Sequence, residues 1–139
     1  MNSQINADVE SWIFIKTYED WSKLDDHFLG FRDGVIKDLH WSHGEYVDES
    51  LNMVYLDSPI VWLLIQFQNE GFSSIEFLLK EVKEFSINVK HELTISIKLN
   101  DKSIMLNLSE TGDSRIFAEE LFYRIPNPPL LGKGIFNYF

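Results

Sequence analysis

The chain has 139 residues, a formal net charge of −10 and 45% hydrophobic residues. This length predicts a single domain over residues 1–139, with enough apolar surface to fold alone. The acidic charge disfavours nucleic acid and anionic membranes as ligands, because both repel carboxylates. Cysteine is absent, which excludes disulfides, thiolate nucleophiles and cysteine-ligated zinc sites.

The beginning of the sequence predicts no targeting segment. Residues 1–8 lack the basic start and the apolar run of a signal peptide, and we expect them to be a loose N-terminus. The longest apolar run, Ile60–Ile65, is too short to span a bilayer. We therefore expect a cytoplasmic protein.

The first regular elements are a strand and a helix. Residues 12–15 suit a short strand, and apolar residues at spacings of three and four predict a helix from residue 18 to about residue 29. Thr17 is the expected N-cap, and Asp20 stands where a capping-box acid belongs. Gly30 is expected to follow the helix at the C′ position.

The rest of the chain indicates mostly strands, because apolar and polar residues alternate. The stretch "PIVWLLIQFQ" is apolar on both faces and predicts a central strand covered on both sides. The turn formers Asn100 and Asp101 separate two alternating runs and predict a hairpin. The strands expected in one mainly antiparallel sheet are residues 35–41, 51–56, 60–67, 93–99 and 103–108.

Two segments fit both a helix and a strand. Within residues 73–85, Ser73 and Glu76 resemble a capping box, yet apolar residues also alternate there. Residues 114–125 have apolar side chains four apart that also share one strand face, and a strand is favoured. Prolines then predict an irregular aromatic tail over residues 126–139, which we expect to pack back on the body.

The stretch "GFRDGVIKDLHWSHGEYVD", followed by "SLNMVY", "VWLLIQFQ" and "SSIEFLLKEVKEFSI", resembles a family of small bacterial cytoplasmic proteins similar to toxin-immunity proteins. The likeness covers residues 18–88. It implies an α+β fold in which residues 73–80 are a strand, and it transfers no catalytic residue. Arg32 stands where relatives often have histidine. The expected fold class is α+β, a mainly antiparallel β-sheet with one N-terminal helix packed on it.

Histidine and aspartate residues between positions 27 and 43 raise the question of a metal or acid–base site. Imidazole and carboxylate groups are good ligands for zinc or iron. No HExxH motif, nucleophile motif or phosphate-binding loop accompanies them. We therefore predict no metal, no cofactor and no catalytic residue, and keep a small metal-dependent or acid–base enzyme using His40, His43 and Asp33 as an alternative.

Aromatic and acidic residues around positions 38–49 predict a protein-binding surface. Tryptophans usually fill cores, so Trp41 fits the core as well as an interface patch with Tyr46. Carboxylates that remain in water can steer a basic protein partner. The leading hypothesis is therefore a non-enzymatic protein-binding domain, such as an immunity-like inhibitor of a basic toxin. The predicted partner-binding residues are Asp38, Trp41, Glu45, Tyr46, Asp48 and Glu49.

Two further expectations follow from this hypothesis. The four acidic residues of the set are expected to be largely exposed on one side of the fold, near Trp41 or Tyr46. Asp25 and Asp26 of the predicted helix are expected to contribute, with those four residues, to the electrostatic steering of a basic partner. A third hypothesis is a homo-oligomeric structural subunit, such as a homodimer that pairs through an exposed strand edge.

Overall fold

The computed structural model describes residues 12–55, 58–88 and 92–133. The predicted loose segment 1–8 and the aromatic end of the tail, residues 134–139, lie outside these ranges. In chain order, the described elements are β1 (Ile13–Phe14), α1 (Tyr18–His27), a 3₁₀ turn (Leu29–Phe31), β2 (Gly34–Ser42), β3 (Glu45–Val47), β4 (Met53–Tyr55), β5 (Ile60–Phe67), β6 (Ser74–Lys80), β7 (Glu84–Ser86), β8 (Ser96–Asn100), β9 (Ser103–Asn107), β10 (Arg115–Ala118) and β11 (Glu120–Arg124).

The strands form three antiparallel sheets. A five-stranded sheet has the order β1-β11-β6-β5-β2, a four-stranded sheet has the order β7-β10-β9-β8, and β3 pairs with β4. The α+β class with one N-terminal helix is confirmed, as are strands within residues 73–80 and 114–125. The prediction of one sheet is wrong, because the 93–99 and 103–108 strands belong to the four-stranded sheet.

Two segments of the chain bend from one of the larger sheets into the other and so join the two sheets. β6 leads into β7 through residues 81–83, and β10 leads into β11 through Glu119. Glu81 adopts a φ of 56°, and the Lys83 Nζ atom lies 2.8 Å from Glu119 Oε2 at this corner. An alternating pattern specifies the face on which a side chain lies but not where a strand turns.

The main core lies between the five-stranded sheet and its two covers, α1 and the four-stranded sheet. β5 is buried on both faces, as predicted: Leu63 joins the main core and Leu64 joins a second cluster. The Trp21 ring of α1 lies 6.1 Å from the Phe77 ring and 5.3 Å from the Phe31 ring, measured between centroids. The four-stranded sheet contributes Ile104, Leu106, Leu108, Ile116 and Ala118 to this core.

Helix α1 begins as predicted and ends two residues earlier than predicted. The Thr17 side chain accepts from the Asp20 N–H at 3.1 Å, and the Asp20 carboxylate accepts from the Thr17 N–H, which confirms the capping box. The C-cap is Phe28. Gly30 has the left-handed φ expected of it, 75°, but lies in the 3₁₀ turn beyond the cap.

The outer face of the five-stranded sheet, opposite α1, carries a buried ion pair. Glu76 is 4% exposed and accepts from Arg124 Nε at 2.8 Å and Nη2 at 3.0 Å. It also accepts from Trp62 Nε1 at 3.0 Å. The Arg124 guanidinium lies 4.3 Å from the centroid of the Trp12 ring. These charge-assisted bonds offset the cost of burying a carboxylate.

Residues 126–133 contain no helix or strand and cross the same outer face. The Gln66 Nε2 group donates to the carbonyl oxygens of Leu130 and Gly132, at 3.3 and 3.1 Å. The Leu130 N–H donates to the Ser74 Oγ atom at 3.0 Å. The described part of the tail therefore packs on the body through its backbone.

Candidate functional site

A two-stranded hairpin continues the β2–β5 pair beyond the five-stranded sheet. The last pair of that ladder joins Ser42 to Ile60, and the first pair of the hairpin joins Glu45 to Tyr55. Among the described strands, β3 and β4 pair only with each other. We call residues 43–55 the β-arm.

One carboxylate orders the tip of the β-arm. Asp48 Oδ1 accepts from the backbone N–H groups of Ser50 and Asn52, each at 2.9 Å. The Asp48 carbonyl oxygen accepts from the Leu51 N–H at 2.9 Å. These bonds hold the three-residue loop 49–51 in one conformation.

The β-arm differs from its sequence prediction at both strands. The acid-rich stretch 45–49 is indicated by its sequence to be a turn, but Glu45–Val47 form β3. The predicted strand 51–56 begins at Met53, because Leu51 has a φ of 67° and belongs to the tip. A left-handed residue cannot continue a strand, and the sequence pattern does not report backbone handedness.

The base of the β-arm is formed by an aromatic contact at the end of β2. His43 Nδ1 accepts from the Glu45 N–H at 3.0 Å, which fixes the link between β2 and β3. The His43 and Trp41 rings meet edge to face, with centroids 5.7 Å apart. Trp41 also lies 6.1 Å from the Phe85 ring of β7 and remains 47% exposed. Trp41 therefore connects the body to the exposed hairpin.

Both faces of the β-arm expose apolar side chains. Strand pairing places Val47, Met53 and Tyr55 on one face, and Tyr55 is 71% exposed. Glu45 shares that face, whereas Tyr46 lies on the opposite one. Grouped apolar exposure of this kind marks interaction sites. The exposed apolar residues of the β-arm and its base are Trp41, Tyr46, Val47, Leu51, Met53 and Tyr55.

Most of the predicted partner-binding residues lie on the β-arm or at its base. Glu45 and Glu49 are exposed, while Asp48 is partly buried by its role in the tip. The expectation that Asp38 is largely exposed is wrong, because its side chain is only 8% exposed and lies 3.8 Å from Lys37 Nζ. The sequence prediction includes Asp38 in the site and omits the apolar residues Val47, Leu51 and Met53. These residues are exposed because they lie in a two-stranded hairpin, and their sequence does not show this.

The position of Asp38 has a local cause. The β2–β5 register shifts between Ile36 and Asp38, and Asp38 then pairs with Leu64. Paired residues share a face, so Asp38 lies on the outer face of the sheet with Leu64 and His40. A β-bulge redirects the residues that follow it and has no reliable sequence signature.

The charge of the β-arm has one sign. Residues 38–79 contain seven acidic residues and no lysine or arginine. Glu45, Asp48 and Glu49 of this stretch lie on the β-arm. Asp25 and Asp26 lie on α1 instead, and burial together with the Asp26 charge raises the pKa of Asp25. Residues 43–55 of the β-arm therefore have three carboxylates and no lysine or arginine.

The residues of the alternative enzyme site are not brought together. Asp33 precedes β2 and His40 is near its end, so at about 3.3 Å per residue they lie roughly 20 Å apart. His43 uses its Nδ1 atom to accept the Glu45 N–H. Within residues 12–55, 58–88 and 92–133, no group of three or more His, Cys, Asp or Glu side chains is arranged to hold a metal ion.

The sheet edges bear on the homodimer hypothesis. The edge strand β2 contains the bulge at Lys37, and bulges with charged residues oppose strand addition. At the β8 edge, the Leu99 N–H donates to the Tyr18 hydroxyl at 2.9 Å. A side chain of α1 thus occupies a backbone donor that a second strand needs. These two features oppose strand addition at the β2 and β8 edges.

Comparison with protein families, curated proteins and solved structures gave no match. In the described part of the chain, no helix has the length and apolar character needed to cross a membrane.

Proposed function

We propose that this chain is a non-enzymatic protein-binding domain that recognises a basic protein partner through the β-arm. The observation that carries the proposal is the exposed apolar surface on both faces of β3 and β4. A two-stranded hairpin has too little apolar contact to bury its own side chains, and it is marginally stable when isolated. A partner that covers the β-arm removes this apolar surface from water.

The composition of the surface supports a protein ligand. Interface cores are enriched in aromatic residues and methionine, and Trp41, Tyr46, Met53 and Tyr55 supply these side chains. Tyrosine and tryptophan are frequent hot spots because they offer a large rigid area with a polar end. The cavity beside β2 and the one beside Glu92 and Thr94 are both lined by residues outside the β-arm.

The charge supports a basic partner. Glu45 and Glu49 remain exposed beside the apolar residues, and the surrounding sequence has no lysine or arginine from 38 to 79. Exposed carboxylates raise the association rate with a cationic surface and depend on salt. Apolar contact and steering thus coincide on one projecting element.

An immunity-like inhibitor is the most concrete form of this proposal. The resemblance to small bacterial cytoplasmic proteins similar to toxin-immunity proteins spans residues 18–88, which include the whole β-arm. An inhibitor of this class acts by occluding a basic toxin in the bacterial cytoplasm. A protruding hairpin suits that role, because it can enter a concave surface.

The test uses charge reversal on the β-arm. Partners are isolated from a lysate of the source cells with the full chain as bait, and the identified protein is purified for binding kinetics. We expect Glu45→Lys/Glu49→Lys to lower the association rate about tenfold at low salt and to flatten its salt dependence. Glu45 and Glu49 are exposed, so the melting temperature should stay unchanged.

The matched control makes the same change of net charge elsewhere. Glu110 and Asp113 are exposed in the turn between β9 and β10. Glu110→Lys/Asp113→Lys should therefore leave the association rate within about twofold of wild type. Equal effects of the two double variants would show that net charge, and not the β-arm, governs binding.

A further inference from the structure

The tip of the β-arm has a leucine where hairpins of this length favour glycine. In a three-residue hairpin loop, the last loop residue adopts a left-handed conformation that glycine takes without steric cost. Leu51 occupies this position with a φ of 67°. A residue with a Cβ atom is strained in this conformation. The local backbone therefore gains nothing from leucine.

Packing within the chain does not compensate for this strain. Leu51 is 85% exposed, more than any other large hydrophobic residue that the structure describes. Its neighbours Ser50 and Asn52 are exposed as well. The backbone bond from the Leu51 N–H to Asp48 closes the turn whatever the side chain is, and the exposed isobutyl group has little packing to offset its contact with water and the strain of the backbone.

A second leucine in the same backbone conformation shows the contrast. Leu29 has a φ of 53° and is 59% exposed. It lies between Phe28 and Phe31, which are 2% and 1% exposed and whose rings stack with centroids 5.4 Å apart. The left-handed turn at Leu29 therefore directs two phenylalanines into the core. Leu51 has no such structural role.

We infer that Leu51 is the anchor side chain of the β-arm and inserts into an apolar pocket of the partner that is bordered by basic side chains. This inference rests on the proposed function and adds the shape and charge of the partner's surface. Asp48 orders the tip before binding, so little conformational entropy is lost when the side chain is buried. Glu49 adjoins the tip and matches a basic border.

The probe is a displayed library of random dodecapeptides selected against the full chain. We expect the selected peptides to combine lysine or arginine with aromatic or aliphatic residues. For the synthesised peptides, Leu51→Gly and Leu51→Asn should raise the Kd about tenfold or more, because a buried leucine side chain is lost. Leu51→Met keeps an apolar side chain and should bind within about threefold of wild type.

Leu29→Gly is the matched control, because it removes an exposed leucine from the same backbone conformation in another element. Its Kd should also stay within about threefold of wild type. Leu51→Gly should melt at the wild-type temperature or up to about 4 °C higher, since strain is relieved. A loss of binding without a loss of stability separates an anchor from a residue that holds the fold.

The outcomes distinguish the inference from the proposed function. Peptides that bind Leu51→Gly as tightly as wild type but lose affinity for Tyr55→Ala overturn the anchor assignment and leave the β-arm as the binding surface. Peptides that bind both variants as tightly as wild type overturn the anchor assignment and count against the proposed function. A selection that enriches no basic peptide has the same consequence.

Discussion

The body and the β-arm use similar side chains for opposite purposes. Phe77 of β6 is fully buried, with the Trp21 and Phe31 rings nearby. Tyr55 of β4 is 71% exposed and pairs across the hairpin with Glu45. The same kind of aromatic surface stabilises the fold in one region and remains available for a partner in the other.

The two regions differ in how far their apolar side chains are buried. The described body buries its core residues between two sheets and a helix, and it has a second apolar cluster on its outer face. The β-arm is attached through the β2–β5 pair and contributes little to that core. Changes on the β-arm should therefore alter binding more than the free energy of unfolding.

The largest expected effect contrasts two aromatic residues. Phe77→Ala should lower the free energy of unfolding by about 3–5 kcal/mol, because it removes a buried ring and leaves a cavity. Tyr55→Ala should change it by less than about 0.5 kcal/mol, because the ring is already exposed. Urea unfolding of both variants measures the difference. Similar losses for the two would mean that the β-arm is part of the cooperative core.

The next effect concerns the buried ion pair of the outer face. Glu76→Gln should cost about 2–3 kcal/mol, because Arg124 keeps its charge with its carboxylate partner removed. The control is Glu84→Gln, whose carboxylate lies 3.6 Å from Arg115 on an exposed part of the surface. That change should cost less than about 0.5 kcal/mol. If urea unfolding shows equal losses of free energy for the two variants, the buried ion pair stabilises the fold no more than the exposed one.

A smaller and local effect is expected at the tip of the β-arm. Asp48→Ala removes the acceptor of the Ser50 and Asn52 N–H groups, and each such bond contributes about 1 kcal/mol. Loss of both bonds, about 2 kcal/mol, should accelerate amide hydrogen exchange about thirtyfold in the β-arm and leave it unchanged in β5 and β6. Asp48→Asn retains an acceptor and should exchange nearly as wild type. Faster exchange throughout the body would show that the two regions open together.

The smallest effect is a pH dependence at the helix cap. The backbone N–H of Lys16 donates a hydrogen bond to the Asp20 carboxylate, and Thr17 donates further ones. These bonds, the one from Lys16 foremost, hold the pKa of Asp20 below its ordinary value of 3.8. A lowered pKa in the folded state adds stability above the unfolded value and loses it as the pH falls through the folded one. Wild type should melt above Asp20→Asn at neutral pH, and the gap should close below about pH 4. A gap that stays constant down to about pH 2 would contradict a charged cap.

Much of the body was predictable because its signals are local. Thr17 and Asp20 specify a helix start within four residues, and the run from Ile60 to Ile65 is apolar on both faces of a strand. The division into sheets was not predictable, because it depends on the bends at Glu81 and Glu119. Alternation identifies a buried face without identifying the neighbours that cover it.

The candidate site was predictable in charge and less so in shape. Trp41, Glu45 and Glu49 are exposed near the hairpin, as the cluster of aromatic and acidic residues indicated. Leu51 and Met53 share one face of the predicted strand 51–56, and alternation of this kind indicates a covered face, yet both side chains are exposed. An apolar face that meets a core and one that meets a partner have the same sequence pattern.

The first and last strands of the described body are direct neighbours, which has a consequence for biosynthesis. Ile13 of β1 pairs with Tyr123 of β11, more than a hundred positions later, and β1 has no other strand partner among the described residues. During translation, β1 cannot join the sheet until β11 has left the ribosome, and such distant pairings fold slowly. The β-arm pairs residues no more than ten positions apart, as in Glu45 with Tyr55. On the nascent chain, the contacts within the β-arm can therefore form before the body that carries it is complete.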